Sequence, residues 1–265
     1  MSRVASNDGT SIAYERIGDG PAVILVGGGA VDRSENTPLA AELAGRFAVY
    51  NYDRRGRGES GDTPPYAVER EIEDIAALIA AAGGAAHLYG ISSGGALVLE
   101  AAAAGIAIDR LAVYEVPYNV AGDWPQRWRD YAGELEALLA AGRRGDAFAL
   151  FMRVADTPED VIASARDSPM WPDLEALAHT LAYDAACLGD GQPPTARLAT
   201  ITRPTLVATG GAHSPEAAGW VAALDPAADA IAASIPRAQR LTLEDEAHVP
   251  DPKALAAVLA RFFGA

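Results

Sequence analysis

Leu88-Tyr89-Gly90-Ile91-Ser92-Ser93-Gly94-Gly95 is an apolar run that stops at G-x-S-x-G, with Ser92 at its centre and helix-forming residues immediately behind it. A strand that turns this sharply into a helix pushes one side chain into a strained backbone conformation. Gly90 and Gly94 then stand where a Cβ would collide with the neighbouring strand or helix. The Ser92 hydroxyl is left exposed. The next residue, Ser93, opens the helix, and its backbone N–H has no partner within it, so it points at whatever Ser92 attacks. One short stretch thus supplies a nucleophile and half of an oxyanion hole.

The flanks complete the required strand, turn and helix. Ala86-His87-Leu88-Tyr89 reads as a buried strand, and Ala96-Leu97-Val98-Leu99 leads into an alanine-rich helix ending near Gly105. Further out, extended runs alternate with helical ones, the sequence form of a sheet with helices on both faces. Asp8-Gly9 marks a hairpin turn before a strand at Ile12 to Arg16, followed by strands at Val23 to Val26 and Phe47 to Tyr52. Glu69 to Ala82 repeats apolar residues on one helical face at Ile72, Ile75, Ala76, Leu78 and Ile79. Arg110 to Glu115 is a strand leading into Val116-Pro117. From about Tyr118 to about Thr200 strand signals give way to helical ones, as at Tyr131, Leu135, Leu138 and Leu139. Strands return at Pro204 to Ala208 and Arg240 to Leu243, before a final helix from Pro252 to Phe263. The expected division is a core of residues 1–117 and 201–265, interrupted by a helical insertion at 118–200.

Half of the 265 residues are hydrophobic, enough for one large core. The longest apolar run, Gly95 to Ile108, is broken by Glu100 and too short to cross a bilayer. Residues 1–9 lack the apolar stretch of a signal peptide, so the expected location is cytoplasmic. A net charge of −15 argues against nucleic acid or an anionic membrane as partner, since phosphate binding draws on clustered cations. The one dense basic cluster, Arg54, Arg55 and Arg57, reads as a structural loop. A single cysteine, Cys187, excludes an internal disulfide, and the four scattered histidines form no metal constellation, so no cofactor is expected. Lys253 is the lone lysine against many arginines, and the abundance of Ala, Gly, Pro and Arg suggests a GC-rich bacterial source.

With the elbow, the insertion and the late strands in view, the chain resembles the α/β-hydrolases that carry a helical cap. Asp53-Arg54-Arg55-Gly56-Arg57-Gly58-Glu59-Ser60 resembles the Asp-x-Arg-Gly-x-Gly-x-Ser loop found after the fourth strand in many bacterial members. The resemblance implies an α/β fold: a mostly parallel sheet flanked by helices, with residues 118–200 as the cap. It also implies the chain order nucleophile, acid, histidine. His248, in Glu244-Asp245-Glu246-Ala247-His248 before the terminal helix, is the implied general base. His87 and His179 read as packed residues. The second oxyanion donor is implied in the loop after Val26, where relatives often carry His-Gly. Here the loop reads Gly27-Gly28-Gly29, and by position the donor is Gly29.

One element of the family pattern is absent. Relatives place the triad acid as an Asp three residues after a Gly in the loop following the Pro204 to Ala208 strand. That loop here reads Thr209-Gly210-Gly211-Ala212-His213-Ser214-Pro215, and Asp225 lies too far along, expected near a helix end or turn. An unpartnered histidine keeps neither its tautomer nor its orientation. Glu115, at the carboxyl end of the strand after the elbow helix, offers the replacement; the competing reading is an ion pair with Arg110 or Arg127. Tyr114-Glu115-Val116-Pro117, with Ser92-Ser93-Gly94 and the acid-free late loop, is similar to the lactonases that open zearalenone.

The expected chemistry is cofactor-independent cleavage of a carboxylic ester or lactone through an acyl-enzyme, with Ser92, His248 and Glu115 catalytic and Ser93 and Gly29 holding the oxyanion. The expected partner is a small apolar substrate. Trp128, Trp171, Tyr118 and Met170 are the candidate contacts in the insertion, Trp171 first. Two other readings stay open: acyl transfer or cyclisation by the same triad, and a hydrolase-fold binding protein without turnover. No feature decides between a monomer and a homodimer.

Overall fold

A computed structural model describes residues 1–213 and 219–264. Ser214 and Pro215 of the acid-free loop lie outside the described residues. Strands β1 (Ser2–Ala5) and β2 (Ser11–Ile17) form the expected hairpin. There Gly9 adopts a φ of +83°, and the Asp8 carboxylate accepts from Thr10 N at 2.9 Å. β3 (Ala22–Val26) is followed by helix α1 (Thr37–Leu43), β4 (Ala48–Tyr52), α2 (Val68–Ala81), β5 (Ala86–Ile91), α3 (Ser93–Ala103) and β6 (Ile108–Tyr114). Six helices come next: α4 (Trp124–Ala140), α5 (Arg144–Val154), α6 (Glu159–Arg166), α7 (Trp171–Leu177), α8 (Thr180–Cys187) and α9 (Thr195–Leu198). β7 (Thr205–Gly210), α10 (Trp220–Ser234), β8 (Ala238–Leu243) and α11 (Pro252–Phe263) complete the chain.

The eight strands form one sheet in the order β1-β2-β4-β3-β5-β6-β7-β8. Only the β1–β2 and β2–β4 pairings are antiparallel. The others are parallel, so each needs a crossover, and the helices between strands provide it. Alternation along β3 shows the consequence for packing. Val23 and Leu25 face α1 and α11, while Ile24 and Val26 face α2, α3 and α10. His87 is part of this packing, its ring stacked on Phe263 at 4.7 Å between centroids.

Helix α10 is where structure and expectation diverge. Its fifteen residues enclose Pro226, a residue that suggests an interruption, and Asp225 lies inside the helix instead of at an end or turn. The Asp225 carboxylate accepts from Thr209 Oγ1 at 2.7 Å and pairs with Arg240, tying the helix to β7 and β8.

The α4–α9 segment is tied to the sheet-bearing part by buried polar contacts. Cys187 at the end of α8 touches the Tyr66 hydroxyl and the Glu71 carboxylate of α2. Burial and the Glu71 charge push its thiol up to about 12. The folded protein should therefore ignore Ellman's reagent at pH 8, whereas guanidinium-unfolded chain should release one equivalent. Native-state reaction would place a solvent channel at that junction.

Candidate active site

Ser92 sits between β5 and α3 with φ +54° and ψ −129°, a conformation that non-glycine residues rarely hold. Its neighbours explain how the turn closes so tightly. A Cβ on Gly90 would lie 2.5 Å from the Gly94 carbonyl oxygen, and one on Gly94 would lie 2.3 Å from the Gly27 carbonyl oxygen. Neither contact is tolerable. Ser92 N donates to Tyr114 O at 2.9 Å, so β6 fixes the turn from the side.

Glu115 follows β6 and also has a positive φ, +48°. Its backbone N–H donates to Ala208 O of β7 at 3.0 Å. The side chain is fully buried and accepts three hydrogen bonds: Gly210 N at 2.7 Å and His213 Nε2 at 2.8 Å on Oε1, and His248 Nδ1 at 2.7 Å on Oε2. Glu115 forms no pair with Arg110 or Arg127 among the described residues. Arg110 instead caps the Phe262 carbonyl, and Arg127 stacks on Trp124.

The loop that carries His248 is pinned to the end of β7. Ala212 N donates to Glu246 O at 2.9 Å, and the Tyr114 hydroxyl donates to Ala247 O at 2.6 Å. Gly210 allows this approach, because a Cβ there would lie 2.2 Å from Glu246 O. The His248 ring meets the edge of Trp220 at 4.8 Å and 87°. Three strand ends, β5, β6 and β7, thus converge with this loop on one spot.

Gly29 and Ser93 line the same cavity as Ser92 and His248. Ser93 N is the first N–H of α3, and the Ser93 hydroxyl is turned aside to Asp184 at 2.8 Å. The glycine loop lacks the histidine common in relatives, and other residues anchor it. Glu35 accepts from Gly28 N at 2.7 Å, while Arg54 and Arg57 donate to Gly28 O at 3.3 and 2.5 Å. A trans peptide carries its C=O and N–H on opposite sides. Clamping Gly28 O against two guanidiniums therefore turns the Gly29 N–H away from them, and nothing among the described residues accepts it. Burial raises the Glu35 carboxyl above its ordinary value, against the pull of the Gly28 N–H and of His248.

The arginines are held in turn by acids from two directions. Arg54 makes a bidentate pair with Glu71 at 2.8 and 2.7 Å, and both Arg54 and Arg57 reach Asp184 Oδ1, at 2.8 and 2.7 Å. Burial works against the Arg54 cation, and Glu71 and Asp184 overcome it, raising its pKa well above the ordinary value. Asp184 belongs to α8, so the basic cluster does more than shape its own loop. It locks the α4–α9 segment onto the glycine loop.

The cavity measures about 260 Å³, and its walls are Trp124, Trp128, Tyr131, Phe151, Leu181 and Trp220. Among the proposed substrate contacts, Trp128 lies in this wall. The other three do not. Trp171 is buried against Phe148, with its Nε1 donating to Glu175 at 2.8 Å. Met170 is 64% exposed, and Tyr118 is buried and borders a different pocket. The helical pattern identified apolar residues of the α4–α9 segment but not which face meets the cavity, since docking and lining residues have the same composition. Asp184, Glu35 and His213 were missed because single polar residues carry no periodicity. The triglycine loop without its histidine was the one available hint of a substitute anchor. Among the described residues, no group of three or more His, Cys, Asp or Glu side chains is arranged to hold a metal, and no helix is long and apolar enough to cross a membrane.

Residues 22–258 match a family model described as the alpha/beta hydrolase family. A pimeloyl-[acyl-carrier protein] methyl ester esterase from Xanthomonas campestris pv. campestris is 32% identical, over 88% of this chain and 90% of its own. The crystal structure of an alpha/beta hydrolase from Sphaerobacter thermophilus superposes with a TM-score of 0.87 at 53% identity, covering 99% of this chain and 100% of that one. The enol-lactonase from Burkholderia xenovorans gives a TM-score of 0.70 at 25% identity, with both chains fully covered.

Proposed function

This chain belongs to the α/β-hydrolase family, and on that premise we propose that it is a serine hydrolase cleaving an apolar carboxylic ester or lactone through an acyl-enzyme. The observation that carries the reading is the Glu115 carboxylate at 2.7 Å from His248 Nδ1, with His248 and Ser92 on one cavity. With its Nδ1–H donating a hydrogen bond to Glu115, the neutral imidazole presents a lone pair on Nε2. That lone pair takes the Ser92 proton as Oγ attacks the acyl carbon, and the resulting imidazolium protonates the leaving alcohol. Gly29 N–H and Ser93 N–H hold the oxyanion; each such donor is worth about 3 kcal/mol of transition-state stabilisation. Water then repeats the sequence on the acyl-enzyme.

The substrate class follows from the walls. Aromatic and aliphatic side chains dominate them, and the Asp184 charge is already taken by two arginines. An apolar acyl or alcohol group is buried there favourably, at about 25 cal/mol per Å² removed from water, while a charged one meets no free carboxylate or guanidinium among the described residues that line the cavity. The Xanthomonas relative is a methyl ester esterase and the Burkholderia structure an enol-lactonase, which brings both open and cyclic esters into range.

The test is a fluorophosphonate label located by mass spectrometry, followed by turnover of p-nitrophenyl esters, methyl esters and aromatic lactones. One adduct on Ser92, absent from Ser92→Ala, is expected, with apolar esters turned over fastest. An unlabelled Ser92 in the folded protein would replace the hydrolase reading with that of a binding protein.

A further inference from the structure

Glu115 serves two histidines, and the proposed reaction uses only one. His248 shares the cavity with Ser92; His213 does not line it. Yet His213 Nε2 approaches Glu115 Oε1 at 2.8 Å, against 2.7 Å for the contact His248 makes with Oε2. His213 also stands three residues after Gly210, the place where the family resemblance puts an aspartate. The acid stands at the end of β6, and an imidazole occupies the place after β7 where the resemblance puts the acid.

We propose that His213 is a positioning residue for the proposed triad: its Nε2–H fixes the Glu115 carboxylate so that the other oxygen stays aimed at His248. The inference rests on the hydrolase reading above and deepens it. A glutamate reaches His248 through one more rotatable bond than an aspartate, and a free carboxylate would turn about that bond. Gly210 N–H and His213 Nε2–H meet on Oε1 and hold it, which leaves Oε2 to His248 alone. Burial sharpens the requirement. With the side chain fully enclosed, water cannot replace a missing donor, and an under-bonded buried carboxylate is costly. His213 needs only its neutral form with the proton on Nε2, since Glu115 is the acceptor. Removing that donor should disturb alignment for proton transfer while leaving the cavity that binds substrate untouched.

The experiment compares His213→Leu, which deletes the donor, with His213→Gln, whose side-chain amide can donate from nearly the same point. In the full chain, His213→Leu should lose about 10–100-fold in kcat on a p-nitrophenyl ester, the range in which orienting partners usually act, with KM within about twofold. His213→Gln should recover most of the loss. The far-downfield proton resonance of the His248–Glu115 bond should weaken or shift in His213→Leu and return in His213→Gln. Wild-type kcat in His213→Leu overturns the proposal, and so do equal losses in both variants with an unchanged resonance. Failure of the hydrolase reading is told apart by the wild type: it would show no Ser92 adduct, whereas a labelled Ser92 with an indifferent His213→Leu overturns only the role of His213.

Discussion

Replacing Glu115 by glutamine should lower kcat for ester cleavage by at least ~100-fold, and towards ~10⁴-fold where the histidine tautomer is lost altogether. Size is conserved in this change, so packing around the buried side chain survives. Hydrogen bonding is not. Both Glu115 oxygens accept, one from Gly210 N and His213 Nε2 and the other from His248 Nδ1. A glutamine has a single oxygen. With that oxygen turned to Gly210 and His213, its amide N–H₂ faces His248 Nδ1 and forces the ring proton onto Nε2. The ring then has no lone pair for the Ser92 proton. With the amide turned the other way, its N–H₂ opposes two donors, a buried mismatch costing roughly 1–3 kcal/mol per unsatisfied group. The first arrangement is the cheaper, and it is the inactive one. Steady-state kinetics with a thermal melt checks the expectation: fluorophosphonate labelling of Ser92 should slow in proportion while the melting temperature falls only modestly. Retention of more than a tenth of the wild-type kcat would mean that another acid steers His248.

The parts of this arrangement that were legible beforehand are those written into local backbone demands. Ser92 announces itself because a strained turn admits only glycine at positions 90 and 94, where a Cβ would lie 2.5 and 2.3 Å from carbonyl oxygens. The strands and the terminal helix were legible because a parallel sheet covered on both faces needs continuous apolar runs. Glu115 became the candidate through the family resemblance, which implies an acid in a loop that here has none, and a neighbouring strand end carries one. Features that depend on two distant segments were not legible. Asp184 meets Arg54 and Arg57 across a sequence separation of about 130 residues, and nothing local distinguishes it from the other acids of the α4–α9 segment. His213 was given no role, because its partner lies at the end of another strand. Trp171 and Met170 looked like substrate contacts because aromatic and sulfur-bearing side chains dock helices and line pockets equally well, and only the direction of each helix face separates the two uses.

Asp184→Ala should be the most destabilising single change at the junction between α8 and the glycine loop, costing about 3–5 kcal/mol, as expected when one partner of a buried ion pair is removed. The magnitude follows from what is left behind. Arg54 keeps its bidentate pair with Glu71, but Asp184 is the only carboxylate in an ion pair with Arg57 among the described residues, and the Arg57 side chain is fully buried. Three further donors lose an acceptor: Arg54 Nη1, the Ser93 hydroxyl and Ala30 N. One circumstance moderates the cost. The Asp184 side chain is 9% exposed and borders the cavity, so water can enter and solvate part of the stranded charge, which favours the lower end of the range. Asp184→Asn should cost less, since its amide oxygen still accepts from one guanidinium. Urea unfolding would show the difference as a lowered midpoint at unchanged slope. The decisive arm is the double variant Asp184→Ala with Arg57→Leu. If the penalty is an unpaired buried cation, deleting that cation recovers part of the stability lost in the single variant, a coupling of the kind seen between contacting residues. Additive losses would mean that Asp184 contributes by packing alone, and that the arginines hold Gly28 O without its help.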